Sequence, residues 1–166
     1  MPKVWIFTDW DETITSKDTL ALIAPPDSSE PGGPPPFSFF VDYYMQLIHD
    51  FENSFGPRNT LQRQLEFLDS IKVVEKASVS NVEKHGLFKG VTNSDLCERS
   101  ERVTYRDGWK NFTKKVEDSE HARLVAVLSV NWSAVFIESA LRRIHDATFI
   151  NGIEIRANVS FLKISV

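Results

Sequence analysis

Cysteine is almost missing from this 166-residue chain. Cys97 stands alone, which excludes an intrachain disulfide and a cysteine-built zinc site. Long apolar runs are missing too: none reaches the roughly 18 residues a membrane-spanning helix needs. The segment before Asp9 is too short in apolar residues to read as a secretory leader. There is no excess of positive charge. The formal net charge is −4 and the 19 Lys and Arg are scattered, which argues against a nucleic-acid or membrane surface. The phosphate loop GxxxxGK[ST], the dinucleotide fingerprint GxGxxG, the metalloprotease HExxH and the hydrolase elbow GxSxG are all absent. His49, His85, His121 and His145 lie far apart without ligand spacing. A soluble, reducing, cytoplasmic setting is the expectation; the oligomeric state is left open.

The residues present suggest an α/β chain. "KVWIFT" (3–8) reads as a short buried strand, rich in β-branched and aromatic side chains. A helix is expected from about Ser16 to Ala24. It stops at "PPDSSEPGGPPP" (25–36), which holds six of the eight prolines and reads as a mobile surface loop. Val41, Tyr44, Met45, Ile48 and Phe51 then recur at helical steps, as do Leu61, Leu65, Leu68 and Ile71, with Asn59 or Thr60 as N-cap. "SNVE" (80–83) fits a capping box, with Gly86 as a stop. "NSDLCERSERV" and "DGWKNFTKKVED" suggest two more helices. "ARLVAVLSV" is a second strand, Ser133–His145 a helix, and "ATFI" a third strand. Strands separated by helices point to a parallel sheet.

Function in such sheets gathers beyond the carboxyl ends of the strands. Asp9 and Asp11 stand at one such end and Ser129 at another. Paired carboxylates can hold a hard cation such as Mg²⁺, attack phosphorus, or move a proton. A Ser before a helix N-terminus can cradle phosphate. The same residues also serve as ordinary turns and caps, so the pattern alone leaves both readings open.

"DWDETIT" followed by "KDT", then "YRDGWKNF" and "VAVLSVNWS", resemble in order the motifs of the haloacid dehalogenase (HAD)-like hydrolases, in the phosphoserine-phosphatase-like form and nearest to fungal HAD-like proteins. The resemblance implies a Rossmann-like parallel sheet over residues 1–19 and 105–166, with a helical cap inserted at 20–104. It implies Mg²⁺-dependent phosphomonoester hydrolysis of a small phosphorylated substrate through an aspartyl-phosphate. In that scheme Asp9 is nucleophile and metal ligand, and Asp11 is acid/base and a further metal ligand. Ser129, Val130 and Asn131 hold phosphate, and Thr13 and Thr15 support the loop. Two departures stand out. Glu12 replaces a common Gly, and the family's later Lys and Gly-Asp-x-x-x-Asp element are not found. Against that pattern the chain reads as a core truncated after its third strand, and activity is expected to be weak or lost. The tail "NVSFLKISV" is expected to cover a sheet edge or to pair with "GIEIR". The alternative is a non-catalytic fragment or binding module.

Overall fold

The computed structural model describes residues 4–28 and 31–158. The chain is mixed α/β and divides into two units, Met1–Ile23 with Gly90–Val166, and Ala24–Lys89. Among the described residues, no helix is long and apolar enough to cross a membrane.

In the first unit, β1 (Val4–Asp9) pairs in parallel with β2 (Ala122–Leu128), and β3 (Glu154–Arg156) pairs in parallel on the other side of β2. The register sets Asp9 beside Leu128 and steps past Val125 opposite Ile6 and Phe7. Parallel neighbours cannot be joined by a tight turn, and α7 (Ala134–Arg142) and α8 (Ala147–Asn151) make the β2–β3 crossover. Ser133 starts α7 by accepting a hydrogen bond from the Phe136 amide at 3.1 Å. The buried stripe Phe136, Ile137, Ala140 and Leu141 follows at helical spacing. The α6 helix (Trp109–Glu117) packs on β2, and α5 (Asn93–Arg99) packs on α7. Trp10, Ile14, Ile23, Leu96 and Val127 complete a core closed to solvent.

The second unit is helical. It contains α2 (Phe37–Phe55), α3 (Leu61–Ser70) and α4 (Lys72–His85), with α4 packed against both α2 and α3. Thr60 caps α3 as expected, its hydroxyl accepting from the Arg63 amide at 3.2 Å. Gly86 ends α4 in the left-handed region at φ 62°, also as expected. Phe51, Phe55 and Phe67 meet with ring centroids 5.3–5.9 Å apart, and the Arg58 guanidinium lies 3.8 Å above the Phe67 ring.

Several expectations are corrected. "ATFI" is helical rather than extended, because Asp146 accepts from the Phe149 amide at 2.9 Å and nucleates α8; the third strand is the following "EIR". "SNVE" lies inside α4, and the capping box belongs to Thr92 and Asp95 at the start of α5. The helix expected from Ser16 shrinks to α1 (Leu20–Ile23), since residues 10–19 are spent on a turn and its closing bonds. Leu61, Leu65 and Leu68 do not form the buried stripe of α3; all three are exposed, and Phe67 is the residue buried there. In α2, Val41 and Met45 are likewise exposed while Phe40 is buried. The expected role of the tail after Asn158 lies outside the described residues.

Candidate functional site

The β1 strand ends at Asp9, and the chain turns at once. The Trp10 carbonyl accepts from the amides of Ile14 at 3.0 Å and Thr15 at 3.1 Å. This turn breaks strand alternation, so Asp9 and Asp11 do not project as a simple pair. Asp9 is exposed, and its Oδ2 accepts from the Thr13 hydroxyl at 3.2 Å. Asp11 turns inward instead. Its Oδ1 accepts from the Thr19 amide at 2.7 Å and from the Thr19 hydroxyl at 2.6 Å. Burial raises the Asp11 carboxyl above its ordinary range, outweighing the stabilising Thr19 bonds; Asp18 pushes the same way, and the Asn131 amide opposes.

Thr19 is the hub of this knot. Besides donating to Asp11, its hydroxyl accepts from Trp10 Nε1 at 2.9 Å and from Asn131 Nδ2 at 3.1 Å. Trp10, Thr19 and Asn131 are all buried, so the bonds form where water cannot replace them. Asn131 also accepts from the Ser133 amide through Oδ1 at 3.2 Å, which ties the turn after β1 to the start of α7.

The returning chain locks the other side of the turn. Thr15 and Tyr105 form an isolated antiparallel bridge, and Arg106 Nε donates to the Glu12 carbonyl at 2.7 Å. Thr15 is buried; its hydroxyl accepts from the Glu12 amide at 3.1 Å and donates to the Lys17 carbonyl at 2.7 Å. Burial pushes the Tyr105 phenol up to about 12, keeping it a donor to the Ala140 carbonyl at 2.6 Å.

Ser129 follows Leu128 and therefore sits on the strand tip next to Asp9. Its amide donates to the Arg156 carbonyl at 2.8 Å, and its hydroxyl accepts from the Asn131 amide at 3.0 Å. Val130 is 80% exposed. Of the three residues expected to meet phosphate, Asn131 has its amide and side chain committed inside the protein, while Ser129 and Val130 face outward to a greater degree.

The donor chemistry can be tested against Mg²⁺. Among the described residues no group of three or more His, Cys, Asp or Glu converges. Asp9 has an exposed carboxylate, a hard oxygen donor, whereas Asp11 Oδ1 is taken by two short bonds. One free carboxylate suits a Mg²⁺ that keeps most of its shell as water and ligand oxygens, which is the ion's usual habit. One cavity, of about 600 Å³, lies at the opposite strand ends beside Val4, Trp5 and His121, and contains none of these tip residues. A smaller one of about 330 Å³ is lined by Ser16, Tyr105, Arg106 and Asp107. The tips carry more weight here, because parallel sheets present ligands at their carboxyl ends.

Sequence reasoning assigned no role to Thr19, Trp10 or Arg106. A Thr eight residues after a strand-end Asp is too distant for any local capping rule, and only the folded turn brings the two together.

No protein-family model matches the chain, and no solved structure matches it. It is similar to a CTO1 family protein of Schizosaccharomyces pombe, with 32% identity over 142 residues, covering 84% of this chain and 50% of that protein. It is also similar to Cold tolerance protein 1 of Saccharomyces cerevisiae, with 28% identity over 164 residues, covering 84% of this chain and 51% of that protein. The chain thus spans about half the length of the curated relatives it matches. The fungal side of the resemblance agrees with these relatives. The HAD assignment does not: they are named for the CTO1 family and for cold tolerance, not as hydrolases or phosphatases. The expectation of a HAD-type, Mg²⁺-dependent phosphatase working through an aspartyl-phosphate is corrected accordingly.

Proposed function

We propose that this chain is a ligand-binding module whose strand tips take a small phosphorylated molecule together with Mg²⁺. The observation that supports it is a contrast within one turn. Asp9 presents an exposed carboxylate, while the backbone beneath it is held by the knot of half-buried Asp11 with buried Thr19, Trp10 and Asn131. A group fixed in this way loses little freedom when it binds.

Bound Mg²⁺ would supply positive charge between a carboxylate and a phosphate. Asp9 offers its oxygens outward, steadied by the Thr13 hydroxyl. Ser129 and the Val130 amide, on the adjoining tip, meet phosphate oxygens. Asp11 acts by positioning the turn, its Oδ1 being held by the Thr19 amide and hydroxyl. In this reading the three strands and their helices are a Rossmann-like arrangement, with residues 24–89 as an inserted helical unit, and the protein works in the cytoplasm. The ligand serves the cold tolerance for which the budding-yeast relative is named.

The test is an NMR titration of the chain with Mg²⁺ and inorganic phosphate. Resonances of Asp9, Thr13, Ser129 and Val130 are expected to move together, and Asp9→Asn to remove the Mg²⁺-dependent part. Shifts that persist in Asp9→Asn, or that cluster elsewhere, would refute the reading.

A further inference from the structure

Glu12 adopts φ 56° without being a glycine. A β-carbon crowds its own backbone in that region, so the conformation persists only where its surroundings hold it. Two side chains do so from different parts of the chain. The Thr15 hydroxyl accepts from the Glu12 amide at 3.1 Å, and Arg106 Nε donates to the Glu12 carbonyl at 2.7 Å. Thr15 is buried and belongs to the turn itself, whereas Arg106 is exposed and comes from 94 residues away. Backbone bonds deliver it. The Arg106 amide donates to the Ile14 carbonyl at 2.9 Å, its carbonyl accepts from the Trp109 amide at 3.2 Å, and the Ser16 amide donates to the Thr104 carbonyl at 2.9 Å. With its backbone held on the turn, the side chain needs little further ordering to reach Glu12.

We propose that Arg106 is a positioning residue for the metal-binding carboxylate of Asp9, a role that rests on the Mg²⁺ and phosphate reading above. Holding Glu12 at positive φ sets the direction in which the chain enters Thr13. The Thr13 hydroxyl then meets Asp9 Oδ2 at 3.2 Å. The guanidinium therefore acts on Asp9 through the backbone of residues 12 and 13. Its charge works the other way, because a cation on the same turn repels Mg²⁺. Position and charge thus predict opposite signs: losing Arg106 weakens Mg²⁺ binding through the first and strengthens it through the second. Glycine at position 12 separates them further. It takes positive φ at no side-chain cost, so the turn keeps its shape without the clamp. Glu12→Gly also removes a negative charge, which by itself weakens Mg²⁺ binding, so any protection it gives comes from the backbone.

NMR titration of the whole chain with Mg²⁺ alone tests this in four forms: wild type, Arg106→Ala, Glu12→Gly and the double variant. Arg106→Ala is expected to weaken Mg²⁺ binding about fivefold, the low end of the penalty for one strained residue. In the Glu12→Gly background the same substitution is expected to cost less than about twofold. Before any metal is added, the Asp9 carboxyl ¹³C signal is expected to move in Arg106→Ala and to stay in place when glycine occupies position 12. Amide signals outside residues 9–16 and 104–109 that match wild type show that the fold is intact. A wild type with no Mg²⁺-dependent shift refutes the strand-tip reading and takes the proposed role with it. Wild-type binding that Arg106→Ala leaves unchanged or strengthens overturns the role alone. An equal loss in both backgrounds, or an Asp9 signal that Arg106→Ala does not move, overturns it as well.

Discussion

The turn after β1 and the aromatic joint of the helical unit are each built around buried side chains, Trp10, Thr15 and Thr19 in one and Phe67 in the other, yet they are held by different forces. In the turn, order comes from directional bonds: one threonine hydroxyl serves an aspartate, a tryptophan and an asparagine at once. In the joint, order comes from contact. Phe51, Phe55 and Phe67 cluster, and the Arg58 and Arg63 guanidiniums lie 3.8 and 4.2 Å above the Phe67 and Phe55 rings. Directional bonds fix where an atom stands; apolar contact fixes only how much volume is filled. A site that must present one carboxylate in one place is better built on the first kind.

That contrast can be broken by substitution, and the largest effect belongs to the joint. Phe67→Ala removes a buried ring from a small helical unit and should cost about 3–5 kcal/mol. Urea unfolding followed by circular dichroism at 222 nm should register it. Thr19→Val keeps the shape but strips the hub of its hydroxyl, leaving the Trp10 and Asn131 donors buried without it. The expected cost is about 1–3 kcal/mol, accompanied by NMR shifts at Asp11 and Asn131. A Thr19→Val chain as stable as wild type, with those shifts absent, would mean that the knot is decorative.

The smallest effect sharpens the comparison by mixing the two kinds of order. Trp109 Nε1 donates to His145 Nε2 at 3.0 Å, and Phe149 stacks on the imidazole with centroids 4.0 Å apart. That bond requires Nε2 unprotonated. Burial, and after it the Lys110 charge, lowers the His145 pKa below 6.5, with Asp146 opposing. Because the folded value is the depressed one, the stability contribution is complete above about 6.5, the unfolded value, and fades as pH falls through the folded value. His145 is only half-buried, so the loss should not exceed about 1 kcal/mol, the worth of one hydrogen bond. Denaturant midpoints taken from pH 7.5 down to 5 (roughly the range over which histidine titrates) should fall in wild type more than in His145→Gln.

Much of the fold was legible where local rules govern. The β1 and β2 strands announce themselves as short apolar runs, α7 as a helix beginning near Ser133, Thr60 as one of two candidate caps, and Gly86 as a stop. Local rules failed where a neighbour decides. "ATFI" has strand-like side chains, but an Asp one residue earlier caps it into a helix. The leucines of α3 have perfect periodicity, yet a phenylalanine between them is the residue that finds partners. At the site, the strand end and Asp9 were readable, whereas the inward turn of Asp11 was not, because its partners arrive from Thr19 and from residue 131.

Glu12 carries one more consequence. It is the only described non-glycine residue with positive φ, at 56°, and it is held there by Thr15 on its amide and Arg106 on its carbonyl. A side chain in that region costs about 1 kcal/mol or more. Position 12 therefore has a substitution spectrum set by backbone shape rather than by charge. Glycine, asparagine and aspartate fit it, while valine, isoleucine and threonine do not. In a lineage of such proteins, the residue type allowed there would record whether the two clamps are still in place.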